Sequence, residues 1–431
     1  MTNMQMRLLP LLTLVASLLG FLASYGADAM ALGGLPKVDP EFASIFDDTE
    51  VVKIKSPMSL AITPDGSKMF VTQKEGLLHL VEDFQTKSDP PSRPVLDLVD
   101  IMCSNGEQAL GGVAVHPKFG TENNWVYLYY TYNKFDDCDD AKDVNTGPVN
   151  RFSRWDFDER TGMIDPDSEK VFFDTPRLPA KLHNSGDIAF GKDGMVYVTV
   201  GDGGGRTDEN DAGVVFPQAL DRLLGKVIRL TDDGEIPSDN PYANDDDAVV
   251  CGKNGLAPKA TMKCKEIYSR GHRNPIRFAF NPNTPDGVTE YYINEVGRAV
   301  WEEINKGGTG YAGANYGYPR RTGKCIEDSE TKCTPPTEEE GFTDPVHWYH
   351  HDDEHGGCVT AGAFVPNDAG WPAAFQDAYI YGECRGMSGK VMSLFSCLPL
   401  SISLTLHMFF PYRFTCSRLC HRWLLCDDSQ W

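Results

Sequence analysis

Asp187-Ile-Ala-Phe-Gly-Lys-Asp-Gly-Met-Val-Tyr-Val198 sets an apolar run, a Gly-Lys-Asp-Gly turn and a second apolar run in immediate succession. The pattern predicts an antiparallel two-strand hairpin, because glycine and aspartate supply the backbone of a tight turn and β-branched and aromatic residues fill the flanking strands. It recurs at Leu60-Ala-Ile-Thr-Pro-Asp-Gly-Ser-Lys-Met-Phe-Val71, at Gly112-Val-Ala-Val-His-Pro-Lys-Phe119 with Trp125-Val-Tyr-Leu-Tyr-Tyr130, and at Arg277-Phe-Ala-Phe-Asn-Pro282 with Tyr291-Tyr-Ile293. A weaker copy runs from Ala361 to Tyr381. One hairpin repeated along a chain predicts an all-β propeller, each copy forming the inner strands of a four-stranded blade; an extended β-sandwich is the alternative. Beyond the N-terminus no segment shows sustained helical periodicity. The long insertion from Thr231 to Lys265, with its Asp245-Asp246-Asp247 run, is expected to be a loop at the rim.

The composition is that of a chain with a large core: 431 residues, 41% hydrophobic and 24% charged. A formal net charge of -22, from 62 acidic against 40 basic residues, opposes sequence-independent attraction to nucleic acid or to an anionic membrane surface, and no nucleic-acid partner is expected. Residues 1–30 carry Arg7, an apolar run from Leu8 to Leu22 and the small residues Ala27 and Ala29, which predicts a secretory signal peptide. The apolar run is shorter than the roughly 20 residues of a span, so a secreted chain with no stable membrane span is expected, with an uncleaved anchor as the alternative. Twelve cysteines fit an oxidising compartment, and the first eight fall into sequence-local pairs, Cys103 with Cys138, Cys251 with Cys264, Cys325 with Cys333 and Cys358 with Cys384. Residues 45–395 are read as the propeller. Residues 396–431 lack hairpin punctuation, contain Cys416, Cys420 and Cys426, and are read as an atypical tail that leaves the last blade incomplete.

Four segments carry the candidate chemistry. Leu182-His-Asn-Ser-Gly186 puts His183 just before a blade strand, and histidine is the side chain best matched to proton abstraction near neutral pH. Gly201-Asp-Gly-Gly-Gly205 follows the next strand, where glycines allow close approach to the backbone. It is not a dinucleotide fingerprint, since Arg206 stands at the third glycine and no helix follows. Gly271-His-Arg-Asn-Pro275 and Asn294-Glu-Val-Gly-Arg298 border another hairpin. Loops from different blades converge on one face of a propeller, so these groups can meet around one small ligand. His351-Asp-Asp-Glu-His355 has the letters of an inverted zinc-protease motif, but that chemistry needs a helix, and Pro345 and Gly356-Gly357 argue for a loop.

In order, His183-Asn-Ser-Gly186, Gly201-Asp-Gly-Gly204, Leu224-Gly-Lys-Val-Ile-Arg-Leu230, Gly271-His-Arg-Asn-Pro275 and Trp301-Glu-Glu-Ile-Asn305 resemble the soluble quinoprotein glucose/sorbosone dehydrogenases and the related hedgehog-interacting-protein-like ectodomains. The resemblance implies six blades and a quinone-dependent oxidation of an aldose sugar or polyol, with an external electron acceptor it does not specify. It assigns proton removal to His183, charge stabilisation beside pyrroloquinoline quinone to Arg273, and cofactor contacts to Asn274, Asp202, Gly203 and Arg385. Glu107 matches a polar residue facing the sugar. Calcium ligands would come from Gly297 and Arg298, and a second, structural calcium from Glu303 and Tyr316. The chain departs from the pattern at Leu182, where an acid is expected, at Ile276, where a glutamine is, and at Gly297-Arg298, which replaces a glycine-proline pair. A non-catalytic propeller ectodomain that binds a protein or carbohydrate is the alternative function.

Overall fold

Strand Ile188–Phe190 turns through residues 191–195 and pairs antiparallel with Val196–Val200, in the register Ile188 opposite Val198. All five residues of Val196–Val200 are buried, as a strand covered on both faces requires. The sheet continues through Lys226–Leu230 to Ile267–Arg270, so the repeated hairpin is the inner half of a four-stranded blade, as expected. This computed structural model describes residues 51–395 and 412–416, apart from 88, 140–145, 205–214, 299, 327–340, 352–356, 372–374 and 384–388. The signal-peptide segment, Arg385 and nearly all of the tail lie outside the described residues.

Three other sheets share this design. The first is Pro57–Ile62, Lys68–Gln73, Leu77–Glu82 and Ser92–Asp97. The second is Leu110–Val115, Trp125–Tyr132, Val149–Asp158 and Lys170–Asp174, with short Met163–Ile164 added at one end. The sheet after the blade of His183 is Pro275–Phe280, Glu290–Glu295, Trp301–Gly308 and His347–His350. A fifth sheet starts antiparallel with Val359–Phe364, Ala378–Glu383 and Gly389–Phe395 and ends with Tyr412–Cys416 in parallel pairing. Inner strands of successive sheets pack on one another around a common centre, which gives the propeller-like arrangement. The described residues hold five such sheets and no α-helix, with a short 3-10 turn at Val99–Ile101.

Apolar layers fill the gaps between blades. Phe70, Leu80, Leu128 and Trp155 pack between the first and second sheets, and Tyr127, Phe152, Val198 and Ile228 between the second and third. Tyr197, Phe278 and Tyr291 follow, then Tyr292, Phe364 and Tyr379. Each fully buried side chain of this size contributes roughly 1.5–3 kcal/mol before its lost entropy is counted. The expected pairs Cys103–Cys138 and Cys251–Cys264 are both disulfides. Cys325 and Cys358 are disulfide-bonded as well, while Cys333 and Cys384 lie outside the described residues.

Two expectations need correction. The Thr231–Lys265 insertion is not a plain rim loop: it carries the two-stranded parallel ladder Ala248–Val249 with Lys263–Cys264 and reaches the second blade, where Asp174 donates its N–H to Gly252 O at 2.8 Å. The segment around the protease-like letters begins as strand His347–His350, paired antiparallel with Trp301–Ile304. His351 follows that strand, and residues 352–356 lie outside the described residues.

Candidate functional site

The candidate residues sit where the chain enters the first strand of a blade or leaves the second. His183 precedes Ile188–Phe190, Asp202 follows Val196–Val200, Arg273 and Asn274 precede Pro275–Phe280, and Gly297 follows Glu290–Glu295. A continuous set of hydrogen bonds joins them. His183 Nδ1 pairs with Asp202 Oδ1 at 2.6 Å, Asp202 donates its N–H to Arg273 O at 2.8 Å, and Arg273 donates its N–H to Glu295 Oε1. Arg273 Nη1 then donates to Val296 O at 2.9 Å and to Gly297 O at 2.7 Å. His183 also donates its own N–H to Glu107 Oε2 at 2.6 Å. His183, Glu107, Asp202, Arg273 and Gly297 thus form one connected constellation.

His183 has a backbone φ of 55°, in the left-handed region that costs a non-glycine residue on the order of 1–3 kcal/mol. Its side chain is 13% exposed and its partner Asp202 is fully buried. With Nδ1–H directed at the carboxylate, Nε2 carries the lone pair and is the atom left to accept a proton. The glycine run explains how the histidine loop comes so close. A Cβ on Gly201 would lie 2.1 Å from His183 O, and one on Gly203, at φ 72°, would lie 2.9 Å from Pro179 Cδ. The close approach that these glycines permit includes that of residues 178–183 of the chain itself, and Asp202, expected at the cofactor, holds His183 through Oδ1 while its Oδ2 has no hydrogen-bond partner.

Several buried polar atoms in and beside this constellation have no hydrogen-bond partner: Arg273 Nε, Asn274 Oδ1 and Asp202 Oδ2, with Asn184 Nδ2 and Ser185 Oγ in the cleft beside Glu107. Donors and acceptors left over together at a loop face suit a ring system that carries both acceptor oxygens and an N–H, and a quinone cofactor of the kind implied by the resemblance fits them. Calcium fits less well. The Gly297 carbonyl accepts from a guanidinium, and Arg298 is exposed. Glu303 accepts from Gly323 N–H and from Asn305 Nδ2 at 3.1 Å, and Tyr316 donates its hydroxyl to Lys306 O. As folded, these groups are satisfied by the protein's own donors and acceptors rather than arranged around a divalent cation. Among the described residues, Cys251, Cys264 and Glu266 are the one cluster of three potential ligating side chains, and its two cysteines are joined to each other.

Glu295 lies in one of the four candidate segments but is given no role by the sequence, and the structure joins it to the constellation. It is 4% exposed and binds three neighbours: Arg273 N–H at Oε1, and at Oε2 both His272 Nδ1 at 2.9 Å and Asn305 Nδ2 at 3.1 Å. The available signal was an Asn-Glu pair closing an otherwise apolar strand, where a carboxylate has to be buried and paired. Burial, with Glu295 beside it, pushes the Glu303 carboxyl up to about 8. Leu182 is 47% exposed, and Ile276 lines a cleft with Glu107, Asn184, Ser185 and Arg277.

A family model described as Glucose / Sorbosone dehydrogenase matches residues 54–367. The chain is 29% identical over 270 residues to the aldose sugar dehydrogenase of Escherichia coli K12, covering 63% of this chain and 60% of that enzyme. It is 30% identical over 239 residues to quinoprotein glucose dehydrogenase B of Acinetobacter calcoaceticus, covering 51% of this chain and 41% of that enzyme. Among solved structures, a putative oxidoreductase (glucose dehydrogenase) from Thermus thermophilus superposes with a TM-score of 0.55 at 27% identity, over 79% of this chain and 80% of that one. The chain spans less than two thirds of the length of these curated relatives.

Proposed function

This chain belongs to the glucose/sorbosone dehydrogenase family, and from that premise we propose that it is a secreted quinone-dependent dehydrogenase of aldose sugars or polyols, built as a six-bladed propeller, with His183 as its general base. The observation that carries the reading is the pairing of His183 Nδ1 with the buried Asp202 carboxylate at 2.6 Å. Asp202 fixes the tautomer and ring orientation and stabilises the imidazolium that forms when Nε2 takes the proton of a substrate hydroxyl. Arg273 places a fixed cation beside the reacting groups, where negative charge grows as electrons leave the substrate. Pyrroloquinoline quinone, held by Arg273 and Asn274, would supply the two-electron acceptor. The disulfides Cys103–Cys138 and Cys251–Cys264 support an extracellular location.

The test is dye reduction by the purified chain with pyrroloquinoline quinone and a panel of aldoses, with and without calcium. Turnover that needs the quinone and is lost in His183→Ala is the expected result. The exposed Leu182 and apolar Ile276, in place of the acid and glutamine of the family pattern, favour a second reading as a binding ectodomain. A folded protein that binds no quinone and reduces no dye would overturn the dehydrogenase reading and leave the second one standing.

A further inference from the structure

We propose that Glu107 is a positioning residue, which clamps His183 into its left-handed backbone conformation and so holds the imidazole on Asp202. The inference rests on the reading of His183 as the base and gives Glu107 a role other than contact with the sugar. Two bonds from this one residue bracket Leu182: Glu107 donates its N–H to Lys181 O at 2.9 Å, and its Oε2 accepts the N–H of His183 at 2.6 Å. The clamp has a rigid base. Gly106 adopts φ 59° with its Cβ direction 2.7 Å from Lys181 O, so only glycine fits there, and Lys74 Nζ binds Gly106 O at 2.6 Å.

His183 at φ 55° is held by Glu107 together with the Gly203 N–H that donates to His183 O at 3.3 Å and with Asp202. Losing the Glu107 bond frees the backbone N–H side of the residue, and relaxation toward an extended conformation swings the ring off Asp202. Leu182, between the two bonds, is 47% exposed and supplies no polar group of its own. The carboxylate that the family pattern places immediately before the histidine is absent here, and Glu107 brings one to the same backbone from the loop that enters the second blade.

Reach and charge can be separated by two substitutions in the full chain. Glu107→Gln keeps an acceptor oxygen at the same distance and loses the charge; Glu107→Asp keeps the charge and falls short of His183 N–H. Proton NMR reads the downfield Nδ1–H resonance of His183, identified by its disappearance in Asp202→Asn. The proposal expects that resonance unchanged in Glu107→Gln and shifted or lost in Glu107→Asp. In sugar oxidation it expects kcat about 10²-fold lower in Glu107→Asp, with KM within about two-fold, and a loss of kcat at least about ten-fold smaller, again with KM within about two-fold, in Glu107→Gln. A resonance indifferent to both substitutions, or a raised KM in Glu107→Gln with normal kcat, would overturn it. If the wild type oxidises no aldose the dehydrogenase reading fails by itself, and the NMR comparison still decides the role of Glu107.

Discussion

At the scale of the residue, two carboxylates and a glycine hold the histidine in place. Asp202 takes Nδ1 and Glu107 takes the backbone N–H, while Gly201 leaves room for the loop. Gly201→Ala puts a methyl group 2.1 Å from His183 O, and backbone cannot yield as a flexible side chain does. The expected outcome is a folded protein with the His183–Asp202 pair broken, seen as loss of the downfield Nδ1–H resonance and at least about 10²-fold lower kcat. His183, Arg273 and Asn274 are legible in the sequence because each lies in a short motif beside a hairpin. The bonds of Glu295 and the pairing of Asp202 with His183 are not, since a carboxylate's neighbours are set by the crossing of loops from different blades.

At the scale of the element, the inner hairpins are legible because both strands and their turn occupy one stretch of chain. The outer strands are harder to read: Lys226–Leu230 pairs with Ile267–Arg270 across the whole Thr231–Lys265 insertion, and no local pattern marks the partner. That insertion is pinned by the Cys251–Cys264 disulfide and by Glu266, whose Oε1 accepts the N–H groups of Cys251 at 2.6 Å and Gly252 at 2.8 Å. Burial raises the Glu266 carboxyl above its ordinary value of 4.5, and its Oε2 has no hydrogen-bond partner. The folded chain therefore keeps a proton that the unfolded chain releases. Its contribution to stability is full below the ordinary glutamate range and is lost as pH rises from there through the raised folded value. Melting temperatures between about pH 4 and pH 8 should fall more steeply with rising pH in the wild type than in Glu266→Gln. Parallel curves would contradict this.

At the scale of the whole molecule, the blades are tied together at their inner strands by Arg277. Its guanidinium donates to Ile276 O at 2.8 Å, to Met58 O at 2.6 Å and to Gly111 O at 3.5 Å, which joins three sheets around the centre. Buried Asp187, whose carboxyl is raised by burial and lowered by Arg277, accepts Phe278 N–H from the same strand at 3.2 Å. Arg277→Met leaves that carboxylate without its cation and should cost about 3–5 kcal/mol in urea denaturation, with part of the loss recovered by adding Asp187→Asn. The site stands on this frame, and its chemistry is tested most directly in a single turnover. Protein loaded with pyrroloquinoline quinone is mixed anaerobically with an aldose while the absorption spectrum of the quinone is followed, in wild type and in His183→Ala. Reduction of the quinone in the wild type, slowed at least about 10³-fold in His183→Ala, is the predicted result. A quinone spectrum unchanged by every aldose, or reduced equally fast without His183, would contradict the assignment of this site as a sugar dehydrogenase.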